Sequence, residues 1–225
     1  MGDVFRVPLD NGKIDGCSGM TLARPFIRPL GEHALTVAFG DSLSLDANRR
    51  AVAAARAIER AAIPGVTEIA PNLVSVFVGY DPERIGRYRL SGEIALALES
   101  GEEAYEDGPE IAIATRYGGE DGPDLAAVAE ILGLSPAAFV ERHARASLLV
   151  LATGFAPGFI YCGVHAPDLL VPRRQELRQA PKGSVLFAAG QTALCATPIP
   201  TGWHVIGRTD FDNFDPSAPV PVRLS

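Results

Sequence analysis

Apolar and polar positions change rhythm along the chain, and each change marks an element. Over residues 34–39 they alternate with a period of two, as in a strand covered on one face, and Gly40-Asp41-Ser42 closes the run. Over residues 45–63 the period becomes helical, with Val52, Ala55, Ile58 and Ala62 on one side. Ser44 or Asp46 is available as its cap, and Pro64-Gly65 stops it. Residues 66–70 and 73–78 are β-rich runs joined at Pro71-Asn72, a hairpin pattern. Asp81-Pro82 then opens a helix running into Leu98.

The second half begins with a strand over residues 111–115, followed by Tyr117-Gly118-Gly119. Leu125, Val128, Ala129 and Leu132 make the apolar stripe of a short helix that ends at Gly133. Ser135-Pro136 opens a second helix, an N-cap followed by proline in the first helical position. After Arg145 nearly everything reads as strand and turn. The order of elements predicts an α+β protein. Residues 1–20 are a loose leader, residues 21–106 a small α/β-sandwich N-terminal domain, and residues 107–225 a β-rich domain carrying two helices near its start. The acidic, glycine-containing stretch 99–108 is the boundary.

Composition sharpens this. Apolar residues are 47% of the 225 and charged residues 21%, which fits a folded core and not a disordered chain. Acidic side chains outnumber basic ones 27 to 20, and a net charge of −7 argues against nucleic-acid binding. Cys17, Cys162 and Cys195 form no CxxC pair, so a reducing compartment is expected rather than a disulfide scaffold. Residues 146–164 and 183–203 contain no Asp, Glu, Lys or Arg, long enough to raise a membrane span. Gly154, Pro157, Gly158 and Gly163 break the first stretch, and Gly190, Pro198 and Pro200 the second, which favours strands and turns. With Asp3 and a polar stretch over residues 10–19 there is no secretory h-region, and a cytoplasmic protein is expected.

Phosphate-loop, dinucleotide, zincin and nucleophile-elbow motifs are missing. Cys162 and His165, with His143 and His204, have spacing that could hold a metal, but a buried thiol beside an imidazole explains them equally and no metal is assigned. Asp210, Asp212 and Asp215 read as solvated turn carboxylates. The unusual segment is 153–209. Gly154-Phe155-Ala156-Pro157-Gly158-Phe159-Ile160-Tyr161 interleaves rings with turn formers, a rigid wall for a small ligand. Arg173, Arg174, Arg178 and Arg208 supply guanidinium forks for carboxylate or phosphate. Ser184, Gln191 and Thr209 add polar groups and Trp203 another ring. Together they describe a polar-lined cleft with anion affinity.

This series of motifs resembles the KipI / 5-oxoprolinase B-type subunit family, also labelled allophanate hydrolase subunit 1 and carboxyltransferase subdomain C/D. The resemblance runs through Phe39-Gly40-Asp41, Pro64-Gly65-Val66, Tyr117-Gly118-Gly119, Gly122-Pro123-Asp124-Leu125 and the helix carrying His143. It continues through Gly154-Phe155-Ala156-Pro157-Gly158-Phe159, Pro172-Arg173, Gly183-Ser184-Val185, Gly190-Gln191-Thr192, Gly202-Trp203 and Ile206-Gly207-Arg208-Thr209. Asp121, Ile160, Cys195 and Thr201 depart from the family pattern.

The resemblance implies a cyclophilin-like β-barrel in the C-terminal domain. It also implies a cyclophilin-like C-type partner subunit, a third subunit, and ATP-dependent opening of 5-oxo-L-proline to L-glutamate. ATP with Mg2+ enters at the level of the complex. On this reading His143, Arg173, Arg178, Gln191 and Arg208 are catalytic. Gly154, Phe155, Pro157, Gly158, Phe159, Ser184, Trp203 and Thr209 bind a small carboxylate substrate. Relatives also include KipI-type inhibitors of a histidine kinase and components of urea carboxylase or allophanate hydrolase.

Overall fold

The first strand, β1 (Asp3–Pro8), runs antiparallel to a strand far along the chain at Glu110–Tyr117, pairing Phe5 with Ile113 and Val7 with Ile111. A loose leader over residues 1–20 is therefore not what residues 3–8 form. The partner is remote, and no neighbouring turn announces it, whereas consecutive strands usually pair. The structure, a computed structural model, describes residues 3–8, 21–99 and 110–224. The remainder of the expected leader, and most of the expected boundary at 99–108, lie outside them. Two compact units emerge, Cys17–Glu106 and Met1–Gly16 with Asp107–Ser225.

In the first unit an antiparallel sheet has the order β2 (Thr21–Pro29), β3 (Ala34–Gly40), β5 (Ser75–Tyr80), β4 (Val66–Pro71). Helix α1 (Leu45–Ala61) starts at Ser44, whose Oγ accepts from the Ala47 N–H at 3.1 Å, satisfying an amide the helix itself leaves open. It ends as Ala62 turns left-handed ahead of Pro64. Its buried face is alanine-rich (Ala47, Ala51, Ala54, Ala55), so it lies close against Leu35, Val37, Val76 and Val78 of the sheet. Helix α2 (Arg87–Glu99) adds Leu90 and Ile94 to the same core. It begins later than Asp81-Pro82 suggested, because Asp81 instead closes a turn through bonds from the Arg84, Ile85 and Glu83 amides.

The second unit is built on an antiparallel sheet of order β1-β6-β13-β10-β11-β8-β7 that curls into a half-barrel. Its strands are β6 (Glu110–Tyr117), β7 (Leu149–Thr153), β8 (Ile160–Gly163), β10 (Ser184–Ala188), β11 (Gln191–Leu194) and β13 (His204–Arg208). A two-stranded ribbon of β9 (Arg178–Ala180) and β12 (Ile199–Thr201) accompanies it. Helices α3 (Leu125–Ile131) and α4 (Pro136–Arg145) come between β6 and β7, and Ser135 caps α4 through a 3.1 Å bond from the Ala138 N–H. The charge-free stretches hold β7, β8, β10, β11 and β12. No helix among the described residues is long and apolar enough to cross a membrane.

All five residues of β10 are buried, because the sheet has a core on each face. Val185, Phe187, Leu194, Ile160 and Cys162 face one core, which α3 and α4 close with Leu125, Val128 and Phe139. Leu186, Ala188, Ala193 and Cys195 face a second, smaller core with Phe159, Ala180, Ile199 and Trp203.

Candidate functional site

The smaller core is floored by alanines and walled by rings. Phe155 meets Phe159 edge-on at 5.6 Å, Phe159 meets Tyr161 at 4.8 Å, and Tyr161 meets Trp203 at 6.0 Å. The Arg173 guanidinium lies over the Trp203 ring, 5.1 Å from its centroid. Strand alternation puts Arg178 on the face of Ala180, two residues on in β9, and Gln191 on the face of Ala193 in β11. Arg173 and Arg178 are exposed, and neither has an ion-pair partner among the described residues. The Gln191 side chain is 3% exposed, and its amide nitrogen has no hydrogen-bond partner. A buried donor without an acceptor is costly, so an amide left open on this face suits an incoming anion or carbonyl. Burial raises the Tyr161 hydroxyl and the Arg173 charge opposes that shift, while burial holds the Cys195 thiol at about 12, so it is un-ionised.

The loop before β8 carries the rings. The Gly154 N–H donates to the Phe159 carbonyl at 3.1 Å and the Phe159 N–H to that of Ala156 at 3.0 Å, making a tight turn with Pro157 exposed on it. Gly158 has φ +68° and no room for a side chain: a Cβ would lie 2.5 Å from that of Phe214 and 2.7 Å from that of Ala196. Gly154, Pro157 and Gly158 thus shape the loop, which presents Phe155 at its surface and turns Phe159, 2% exposed, into the smaller core. Phe155 is 71% exposed at φ +69°, a left-handed conformation that a ring-bearing residue rarely holds.

The remaining expected site residues stand elsewhere in the unit. His143 faces the larger core, fully buried, with Nδ1 2.7 Å from the Tyr117 hydroxyl and Nε2 2.8 Å from Thr192 Oγ1. Burial, then the neighbouring His165, push its pKa well below the ordinary imidazole value, so it is neutral and unsuited to holding an anion. Ser184 donates to the Pro181 carbonyl at 2.7 Å, and Thr209 to that of Ala114 at 2.7 Å; both hydroxyls tie backbone. Arg208 lies 3.8 Å from Asp121, which itself pairs with Arg116 at 2.9 Å, and Arg116 also grips Asp210 at 2.6 Å. Asp212 pairs with Lys182 and Asp215 caps Ser217, so these carboxylates belong to turns.

Among the described residues no three His, Cys, Asp or Glu side chains converge so as to hold a metal ion. Cys162 is buried with its thiol raised to about 12, and His204 is engaged by the Pro172 carbonyl. The departures from the family pattern are absorbed locally. Ile160 is a core residue, Cys195 lies in the smaller core, and Thr201 Oγ1 accepts from the Trp203 N–H at 3.1 Å. Arg174, expected to supply a guanidinium fork, instead pairs with Asp124, and Tyr161 of the ring-bearing segment joins the aromatic wall; sequence reasoning gave Asp124 no role of its own. Only the motif context of Asp124, Gly122-Pro123-Asp124-Leu125, pointed toward it.

The family described as carboxyltransferase domain, subdomain C and D, matches residues 25–224. The B-type subunit of 5-oxoprolinase from Bacillus subtilis (strain 168) is 33% identical over 210 residues, 88% of this chain and 88% of that protein. The crystal structure of TTHA0988 in space group P6522 is 34% identical with a TM-score of 0.71, covering 84% of this chain and 37% of that one. The Kluyveromyces lactis urea carboxylase shares the fold, with a TM-score of 0.69 at 13% identity over 87% of this chain and 20% of that one. The motifs quoted from the sequence fall inside the matched span, and the chain belongs to the carboxyltransferase subdomain C and D family.

Proposed function

We propose that this chain is the B-type component of an ATP-dependent 5-oxoprolinase that opens 5-oxo-L-proline to L-glutamate, working in the cytoplasm with a cyclophilin-like C-type homologue and a third subunit. The half-barrel of residues 107–225 is then the cyclophilin-like domain, and residues 21–106 the smaller domain. Similarity to a relative named as the B-type subunit of 5-oxoprolinase supports this reading. The observation that carries it is the smaller-core face, where the Arg173 guanidinium, free of ion-pair partners among the described residues, lies over Trp203 in an aromatic wall, and strand alternation turns Arg178 and the buried, unsatisfied Gln191 amide toward the same core.

Each group has a task there. A guanidinium fork takes the substrate carboxylate, Trp203 and Tyr161 pack against its flat ring, and the Gln191 N–H donates to a carbonyl or developing oxyanion. Opening the ring breaks the amide C–N bond, adds a water oxygen to the carbonyl carbon and returns a proton to nitrogen. ATP supplies the driving force for opening an otherwise stable lactam. Mg2+ accompanies ATP at the level of the complex. His143 and Arg208, named with this site from the sequence, act on this reading through the fold and not by touching substrate.

The test mixes the purified chain with its cognate subunits, 5-oxo-L-proline and ATP, and measures glutamate. Release is expected with the wild type, falling at least tenfold with Arg173→Ala or Arg178→Ala; no release from the wild-type mixture overturns the reading.

A further inference from the structure

We infer that Asp124 and Arg174 form a buried clamp whose task is to hold the neighbouring Arg173 over Trp203. The inference deepens the functional reading, since it takes Arg173 as the anion contact. Each clamp residue acts through the chain segments that bear Arg173 and Trp203.

The two side chains form an ion pair, with Arg174 16% and Asp124 12% exposed. Both carboxylate oxygens of Asp124 are used: Oδ1 takes the Arg174 guanidinium, and Oδ2 accepts from the Val205 N–H at 2.8 Å. The Asp124 N–H in turn donates to the Val205 carbonyl at 3.0 Å. Arg174 is fixed by its backbone too, donating to the Gly202 carbonyl at 2.7 Å. Gly202 permits that approach, because a Cβ there would sit 2.7 Å from the Arg174 carbonyl oxygen.

His204 completes the clamp. Its Nε2 lies 3.0 Å from the Pro172 carbonyl, which can only accept, so Nε2 carries the proton. Nδ1 is then a lone pair, and it accepts from Arg174 Nε at 3.3 Å. The chain is thereby bonded at 172 and 174, on either side of Arg173, and at 202, 204 and 205, around Trp203. Arg173 and Trp203 are the pair left between these bonds, 5.1 Å apart.

A buried ion pair seldom adds much net stability over an apolar pair, and its best-attested use is to fix one arrangement among several. Removing one partner strands the other charge. Here the arrangement fixed is that of an exposed guanidinium, which no ion pair orients among the described residues.

Trp203 is the one tryptophan of the chain, so its emission and near-ultraviolet circular dichroism report on this pair. The experiment compares wild type, Arg173→Ala, Asp124→Asn and the double variant without ligand. Arg173→Ala is expected to change Trp203 emission, Asp124→Asn to change it in the same direction, and the double variant to change it no further than Arg173→Ala. If Asp124→Asn leaves the emission at the wild-type value, or if the two effects add, the clamp does not act through Arg173. Arg174→Lys, which keeps the charge and loses the fork, gives the same comparison should Asp124→Asn lose its cooperative melt. Where both lose it while Arg173→Ala keeps it, the pair is a requirement of folding and the inference falls. In the reconstituted complex Asp124→Asn is expected to raise KM for 5-oxo-L-proline about tenfold, the worth of one charge-assisted hydrogen bond, and kcat less than twofold. Absence of glutamate release from the wild type would sink the functional reading and leave the emission result standing.

Discussion

The imidazoles of His143 and His165 stack with their centroids 5.0 Å apart, and each brings Nε2 to 2.8 Å from the same hydroxyl, Thr192 Oγ1. One hydroxyl has one proton, and among the described residues the two rings are the only partners of Thr192 Oγ1, so Thr192 donates to one ring and accepts an N–H from the other. The two histidines therefore carry opposite protonation at Nε2. His165 Nδ1 is buried without a partner, and a bare lone pair there is cheaper than an orphaned N–H. That choice places the His165 proton on Nε2. Thr192 then donates to His143 Nε2, and His143 Nδ1–H donates to the Tyr117 oxygen at 2.7 Å. Nitrogen-15 spectra of the two rings are expected to show the Nδ1–H tautomer for His143 and the Nε2–H tautomer for His165; the reverse pair of tautomers would refute the assignment.

This stack makes the protein acid-sensitive within a defined range. Burial lowers the pKa of His165 from 6.5 to about 4, and burial and His165 lower that of His143 well below 6.5. The unfolded chain binds protons on these rings first, so their stabilising contribution is whole above pH 6.5 and is lost as pH falls toward 4. The His165 shift alone corresponds to a loss on the order of 3 kcal/mol across that interval. Asp168, Asp210, Asp212 and Asp215, each lowered from 3.8 chiefly by a hydrogen bond, lose their smaller contributions only below about that pH. Urea unfolding at about pH 7, 6, 5 and 4 should show the decline, and His165→Gln should flatten it. A wild-type stability that is level from about pH 7 to 4.5 would contradict it.

Thr192→Val preserves shape and removes the shared hydroxyl, leaving both Nε2 atoms without their partner in a dry core. Each loss costs about 1–3 kcal/mol, so destabilisation of roughly 2–5 kcal/mol is expected. Thr192→Ser, which keeps the hydroxyl, should recover more than half of it in a urea midpoint comparison. Equal losses in both variants would assign the effect to packing.

How much of this was legible beforehand depends on the range of each interaction. Ser44, Ser135 and Gly133 sit within a few residues of what they cap or end, so the starts of α1 and α4 and the end of α3 could be read locally. β1 could not, because its partner lies across the other unit in sequence. At the candidate site, Arg173, Arg178 and Gln191 stand out in the sequence as residue types that suit an anion, and period-two alternation turns Arg178 to the face of Ala180 and Gln191 to the face of Ala193. His143 joins them only through the family resemblance. A one-residue step in β11 separates its partner Thr192 from Gln191, and that step sends the two side chains to opposite faces of the sheet. The clamp was invisible because Asp124 and Arg174 are joined only by tertiary folding.

Phe155 pairs strain with exposure. A left-handed φ costs a non-glycine residue about 1–2 kcal/mol, and a ring that is 71% exposed recovers little by burial. Phe155→Gly is therefore expected to raise the melting temperature by a few degrees, the effect of roughly 1 kcal/mol in a chain of this size. It should also weaken substrate binding in the reconstituted complex, since it removes the outermost ring of the wall. A variant that is less stable than wild type would show that the ring, and not the backbone, dominates.

Gln191 offers the sharpest separation of stability from function. Its amide nitrogen is buried without an acceptor, so an apolar side chain of similar length removes a polar group that the folded state leaves unsatisfied. Gln191→Met is expected to stabilise the chain, or to leave it unchanged, by up to about 1–2 kcal/mol. Thr192 and the larger core lie on the other face of β11, so the acid response of the histidine stack should not change. Glutamate release should nevertheless fall at least tenfold, because a site built to donate a hydrogen bond loses most when the donor is removed while the space remains filled. A scan of melting temperature and a progress curve on the same preparation decide the matter. Lost stability together with full activity would mean that the amide serves the fold and that the anion site is completed by the arginines alone.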